Sequence, residues 1–237
     1  MRPPRSVLDG KLTVPLFHGT SSLFYESILE TGLGGRNMVE ELGLRKIAPR
    51  LLELGEERLQ TDPDWPLDRH FLTKIAPDPS TQTPGGNFGF NFRYGGTYVT
   101  PSRQTAATYA LLNKCGSEAL ACTQKILDKL LPQVPSLATQ EPISRIVALA
   151  KTPRQPILVE ACDVPVALLR AEQGGSCSPC LEFIEHALAD PDIYDMVVQQ
   201  ANFELLAPIP ASQLRFYKIV SPQSGYDSLE DLRLDSL

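Results

Sequence analysis

The stretch "GGTYVTPSRQTAATYA", from Gly95 to Ala110, commits the chain to both kinds of secondary structure within sixteen residues. Thr97-Tyr98-Val99 is strand-forming, Thr100-Pro101-Ser102 turns the chain, and the Ala-rich run that follows has helical character. Tyr98 and Tyr109 stand eleven residues apart, one on each element. Two tyrosines beside one turn either pack a core or form two walls for a flat ring.

On either side of this turn, strands and helices are mixed without the regular βαβ alternation of a doubly wound sheet, so the expected class is α+β. "LTVPLFHGTSS" is a β-leaning run that ends in a polar turn, with His18 and Gly19 at the end of the strand. "SSLFYESILETGLGG" is a short helix, capped by Ser21 or Ser22 and ended by Gly32. "MVEELGLRKIAPRLLELGEERL" continues as helix, interrupted near Gly43 and Pro49. Thr61 to Phe92 is rich in Pro, Asp, Thr and Gly and is expected to be a long loop. "SRQTAATYALLNKCGSEALACTQKILDKLL" is the longest helical candidate, ended by Pro132 and Pro135. "QEPISRIVALAK" gives a short helix and "QPILVEACDV" a strand. "LEFIEHALADPDIYDMVVQQ" gives a helix broken around Pro191. "NFELLAPIPASQLRFYKIV" gives two strands around a proline-marked turn. The acidic tail, 221–237, is expected to be loosely held.

A chain of 237 residues with 42% apolar and 21% charged side chains can bury a core and falls within the range of a single domain, 1–237. The net charge of -6 offers no global basic field for a nucleic acid. No apolar run has the length of a membrane span, and "MRPPRSVLDGKLTVPLF" lacks the apolar core of a Sec signal peptide. A cytoplasmic location, or secretion by a non-Sec route, is expected, with no membrane partner. Five cysteines, an odd count, suggest reduced thiols. Cys177 and Cys180 form a Cys-x-x-Cys. A zinc site would need a second ligand pair, for which only Cys162 and His186 offer themselves, so the simpler expectation is a loop with two partly exposed thiols.

Three places carry candidate chemistry: Phe17-His18-Gly19-Thr20, the Tyr98/Tyr109 pair, and Glu204 at the start of a late strand. Each alone has an ordinary reading as a structural histidine, core tyrosines or a solvated glutamate. In this order and context they resemble the ADP-ribosyltransferases of the His-Tyr-Glu class, which include the diphtheria-type toxins and the catalytic domain of poly(ADP-ribose) polymerases. In that family a strand ends in His-Gly-Ser or His-Gly-Thr, a Gly-x-Tyr strand precedes a helix bearing a second Tyr eleven residues on, and a late strand carries the Glu. The matching segments here are 17–20, Gly96-Thr97-Tyr98 with Tyr109, and Glu204. The resemblance spans Leu12 to Ile219, and "PILVEACDVPVALLR" is similar to the family strand that precedes the Glu strand. Where the polymerase branch often has Ser, three residues before the second Tyr, this chain has Ala106. Residues 34–93 make an unusually long interval, which looks like an inserted or remodelled acceptor-side region.

The resemblance implies two packed, mostly antiparallel sheets forming an NAD cleft among helices. It also implies a mono-ADP-ribosyltransferase that consumes NAD as co-substrate, releases nicotinamide and needs no metal. His18, Tyr98 and Glu204 would be catalytic, and His18, Gly19, Thr20, Tyr98 and Tyr109 would hold NAD. The acceptor would be a macromolecule, a protein before a nucleic acid, as suits a bacterial toxin or effector. Arginine is not the expected acceptor, because Asn202 stands where arginine-specific enzymes carry Glu or Gln. An NAD glycohydrolase or an RNA 2'-phosphotransferase on the same fold is the alternative, although the arginines are too scattered for a basic RNA pocket. A non-enzymatic ADP-ribose-binding or protein-binding module is the alternative of another class.

Overall fold

The computed structural model describes residues 5–76, 95–190, 193–220 and 233–237. They gather into two compact units. One takes in the described residues of 1–36, 96–116 and 154–237, and the other those of 37–95 and 117–153. The expected inserted region 34–93 therefore contributes to both, most of it joining 117–153 in the second unit.

The first unit holds the sheets. The dipeptide Asp9-Gly10, both residues at positive φ, turns a small hairpin of β1 (Val7–Leu8) and β2 (Lys11–Leu12). Strand β3 (Leu16–Ser21) follows, then a 3-10 turn over Ser22–Phe24 and helix α1 (Tyr25–Thr31). Ser21 caps the turn through Leu23 N–H, and Gly32, at φ 84°, stops the helix. The remaining strands of this unit are β4 (Tyr98–Val99), β5 (Pro156–Ala161), β6 (Leu169–Ala171), β7 (Phe203–Leu205), β8 (Leu214–Val220) and β9 (Arg233–Ser236). They form a four-stranded sheet in the order β3-β5-β8-β9 and a three-stranded sheet in the order β4-β7-β6, and every pairing is antiparallel. The α+β class holds, with several antiparallel sheets. The tail differs from expectation at its end: β9 pairs with β8 from Val220↔Arg233 to Tyr217↔Ser236. Residues 221–232 lie outside the described ones.

Helix α5 (Arg103–Leu112) lies across the larger sheet. Ser102 caps it, its hydroxyl accepting from Thr105 N–H at 3.1 Å. The helix buries a stripe of small residues, Ala106, Ala107 and Ala110, against Phe17, Leu158 and Ile219. Small side chains bring the two backbones together, and Gly19 takes this furthest: a Cβ there would lie 1.8 Å from the Ala106 carbonyl oxygen and 3.0 Å from Ala110 N. On the other face of the sheet, Tyr25 of α1 meets Phe216 edge to face, with ring centroids 5.0 Å apart. Helices α8 (Ser178–Ala189) and α9 (Tyr194–Val198) complete this unit. The helix expected around Pro191 is these two segments, with Pro191 itself outside the described residues.

The second unit is helical, with α2 (Met38–Glu41), α3 (Leu44–Arg58), α4 (Trp65–Ile75), α6 (Glu118–Leu130) and α7 (Ile143–Lys151). Three expectations are corrected here. The long helix from Ser102 to Leu131 is two, α5 and α6, because Gly116 adopts a left-handed φ of 69° and Ser117 starts a new helix as its cap. The loop from Thr61 contains α4, whose Pro66 sits in the first turn, where a missing N–H costs nothing; residues 77–94 of that stretch lie outside the described ones. Pro49 does not interrupt α3, which buries Leu44, Ile47, Ala48, Leu51 and Leu54, so core packing outweighs the proline's cost of roughly 3 kcal/mol. The break at Gly43 is present, at φ 63°. Asp68, 2% exposed, is held by Lys125 at 2.9 Å and Lys129 at 3.0 Å.

Gly19→Ala should destabilise the protein by about 3 kcal/mol or more, the upper end of overpacking costs, because the obstacle is helix backbone that cannot rotate away. Thermal unfolding of the variant measures this, and an unchanged melting temperature would contradict the close β3–α5 contact.

Candidate functional site

One backbone exchange joins the two sheets. Phe17 N–H donates to the Thr100 carbonyl at 2.7 Å, and Thr100 N–H donates to the Phe17 carbonyl at 3.0 Å. This bridge is isolated: β3 and β4 pair here and then part. Extending its antiparallel register would set Gly19 opposite Tyr98. In place of further ladder bonds, the His18 imidazole Nδ1 donates to the Tyr98 carbonyl at 2.7 Å. A carbonyl oxygen only accepts, so Nδ1 carries the proton and the neutral ring offers Nε2 as an acceptor. Burial holds this imidazole below the ordinary histidine range, against the opposing pull of the Tyr98 carbonyl.

The same bridge orients Gly19. Phe17 spends its N–H and C=O on Thr100, so Phe17↔Glu160 is a non-hydrogen-bonded pair of the β3–β5 ladder. Two residues on, Gly19↔Leu158 is another, and the Gly19 N–H and C=O point away from β5, toward the edge where β4 departs. The space that a Gly19 side chain would take is filled by the α5 backbone. The missing Cβ thus seats a helix, and the backbone polar groups at the strand edge are what face outward.

Across the smaller sheet, Tyr98, Glu204 and Arg170 are direct cross-strand partners on β4, β7 and β6 and share one face. Glu204, expected at the start of its strand, lies in the middle of β7. Its Oε2 accepts from Arg170 Nε at 3.1 Å and Nη2 at 2.5 Å. Its Oε1 and the Tyr98 hydroxyl each lie 3.1 Å from the point where a Gly96 Cβ would stand. A side chain at Gly96 would therefore crowd both groups. The carboxylate bond holds the Arg170 guanidinium above its already high usual range.

The structure therefore brings together His18, Gly19, Tyr98 and Glu204, and adds Arg170. Tyr109 is half-buried on the flank of α5, one turn before Asn113, whose Nδ2 donates to the Tyr109 hydroxyl at 2.9 Å. Ala106 belongs to the buried stripe of α5. Thr20 stands apart: it is 1% exposed, and its hydroxyl turns to the Gly116 carbonyl at 3.5 Å. Arg170 was missed in the sequence. It lies inside "PILVEACDVPVALLR", but a single arginine ending a strand reads as solvated, and register is not written locally.

The Cys-x-x-Cys is not a loop. Cys177 is the N-cap of α8 and buried, its thiol donating to the Leu169 carbonyl at 3.1 Å, and Cys180 lies in the first turn. Cys162 donates to Glu160, and His186 to the Glu182 carbonyl. None of the five cysteines is in a disulfide. Among the described residues no helix is long and apolar enough to cross a membrane.

The arrangement offers a carboxylate with one oxygen anchored and one beside a tyrosine, a neutral imidazole with an acceptor nitrogen, and an outward backbone N–H and C=O. It suits a ligand that carries hydroxyls, an amide and developing positive charge.

His18 should titrate with a midpoint below its ordinary 6.5. The unfolded chain then takes the proton first, so the stability present above pH 6.5 is lost as the pH falls from 6.5 toward the folded-state value. An NMR titration of the ring measures this; a midpoint at or above 6.5 would contradict the burial of a neutral, Nδ1-protonated ring.

No protein-family model, curated protein or solved structure matches the chain.

Proposed function

We propose that the chain is a mono-ADP-ribosyltransferase, moving ADP-ribose from NAD to a macromolecular acceptor, a protein before a nucleic acid. One observation carries this reading: Glu204 and Tyr98 are cross-strand partners, and the His18 ring is bonded to the Tyr98 carbonyl at 2.7 Å. Three residues far apart in sequence thus meet where β3 and β4 separate, in the order that the His-Tyr-Glu resemblance implies.

NAD is cleaved between nicotinamide and its ribose. The C–N bond breaks with its electron pair passing to the pyridinium, which leaves as neutral nicotinamide, and the sugar acquires oxocarbenium character. The acceptor's lone pair then forms the new bond to the anomeric carbon, and its proton goes to solvent. The outward N–H of Gly19 can donate to the carboxamide oxygen and its C=O can accept from the carboxamide NH2, as an amide requires. Tyr98 and Tyr109 supply aromatic faces for the ring. Neutral His18, through Nε2, can accept from a ribose hydroxyl. Glu204 Oε1 can accept from the 2'-OH of the nicotinamide ribose and stabilise the cationic sugar. Thr20, buried and turned to Gly116, supports β3 without contacting ligand.

Nicotinamide release from NAD by the wild-type chain, and transfer of label from ADP-ribose-labelled NAD to a lysate fraction, test the activity. Glu204→Gln keeps the shape and removes the charge, so turnover should fall by about 10²-fold or more with NAD affinity little changed. Near-normal turnover in that variant would overturn the role of Glu204. Nicotinamide release by the wild type without labelled acceptor would mark a glycohydrolase, and NAD or ADP-ribose binding without turnover would mark a binding module.

A further inference from the structure

We propose that α8 and α9 form a docking surface for the acceptor protein, and that the segment they take is basic and carries apolar side chains. That this partner is the acceptor rests on the reading of the chain as a transferase; the surface itself does not.

The charge of the chain is unevenly spread. From Ala171 to Gln213 there is no Lys or Arg, but there are seven acidic residues: Glu172, Glu182, Glu185, Asp190, Asp192, Asp195 and Glu204. All 22 basic residues lie elsewhere, against 21 of the 28 acidic ones, so this one stretch accounts for the whole net charge of -6. It is the connection between β6 and β7, the strands that carry Arg170 and Glu204, and its helices are α8 and α9. A partner held there is held beside the candidate site.

The same connection exposes apolar surface. Phe183 is 43% exposed, Ile193 36% and Met196 65%, three large apolar side chains within fourteen residues. The helices already have their core contacts: they pack against each other and bury Ile184, Ala187 and Val198. The exposed three follow one another. Asp190 lies two helical turns beyond Phe183, Ile193 N–H donates to the Asp190 carbonyl at 3.2 Å, and Met196 lies one turn beyond Ile193. Acidic residues stand beside them, since Glu182 precedes Phe183 and Asp195 precedes Met196, both exposed. Among the described residues, neither of these two carboxylates is in an ion pair.

The surface is also fixed to the fold. Glu185 Oε1 accepts from the Ser6 hydroxyl at 3.0 Å and from Ser6 N–H at 3.3 Å, and the Cys177 thiol at the start of α8 donates to the Leu169 carbonyl of β6. Single exposed apolar residues are ordinary, but a group of them rimmed by charge of one sign fits a partner of the opposite sign. A nucleic acid or an anionic membrane would be repelled here. A second copy would set acidic residues against acidic residues. A protein segment with Lys or Arg beside apolar side chains satisfies both features.

Fluorescence anisotropy measures the binding of a labelled peptide with two repeats of Leu-Lys-Lys-Leu-Leu-Lys-Leu, of a version with every Lys changed to Glu, and of one with every Leu changed to Ser. The Lys/Leu peptide should bind about tenfold or more tightly than either, and less tightly as salt is raised. Phe183→Ser/Met196→Ser and Glu182→Lys/Asp195→Lys should each weaken it by about tenfold, with little change in melting temperature. Equal affinity for either altered peptide, or undiminished binding by either folded variant, would overturn the surface. If the apolar variant fails to fold, the charge-reversed one decides. A wild-type dimer in sedimentation that Phe183→Ser/Met196→Ser separates would give the face to a second copy and overturn the proposal. With labelled NAD, both variants should release nicotinamide at the wild-type rate but transfer about tenfold less label to the acceptor. Undiminished transfer would overturn the role of the partner as acceptor. A wild type that releases no nicotinamide overturns the transferase reading and that role with it, and the peptide measurement alone then decides whether the surface binds.

Discussion

The two-bond exchange between Phe17 and Thr100 is the constraint on which the rest of the site depends. Two sheets that share no continuous ladder are tied at this point. His18 follows Phe17 by one residue, and Tyr98 precedes Thr100 by two, so the bridge sets the imidazole against the Tyr98 carbonyl. From Tyr98 the register of β4, β7 and β6 carries the arrangement outward to Glu204 and Arg170. A one-residue slip in that register would send every side chain to the opposite face. Phe203, 0% exposed beside Glu204, specifies the register by occupying the core face of β7.

Glycine serves two purposes on either side of this bridge. At Gly19 the absent Cβ admits the Ala106 backbone and locks α5 on the sheet. At Gly96 it lets Glu204 Oε1 and the Tyr98 hydroxyl come within 3.1 Å of where a side chain would stand. The first seats a helix backbone and the second seats two polar side chains. The half-buried Glu204 carries its charge beside Arg170, which offsets part of the cost of taking a carboxylate out of water. A cationic sugar would therefore meet a carboxylate already fixed in place rather than one that must reorganise.

Much of this was legible in the sequence, and the rest was not for definite physical reasons. The strand at Tyr98, the turn at Pro101 and the start of the Ala-rich helix follow from local propensity, which acts within a few residues. The choice of His18, Tyr98 and Glu204 came from their order and context, and the structure brings those three together. Arg170 depends on which residue lies across a strand 34 positions later, which no local pattern encodes. Helix α4 was hidden because Asp62, Pro63, Asp64 and Pro66 look like loop, although a proline in a first turn is a helix-start signal. The division of α5 from α6 was marked by Gly116 and Ser117, a glycine stop followed by a serine cap, but the apolar run on both sides made one helix look continuous. Strand β9 was missed because a short, charged segment acquires its structure only by pairing with β8.

The central claim is that the parting of β3 and β4 is where NAD binds. The most direct measurement is a crystal structure of the chain with an unreactive carbocyclic analogue of NAD. The nicotinamide carboxamide should lie on the Gly19 N–H and C=O, its ring beside Tyr98, and the hydroxyl of the sugar-like ring on Glu204 Oε1 with Arg170 still on Oε2. An analogue seated away from the β3–β4 junction, or one that does not bind at millimolar concentration, would contradict the account.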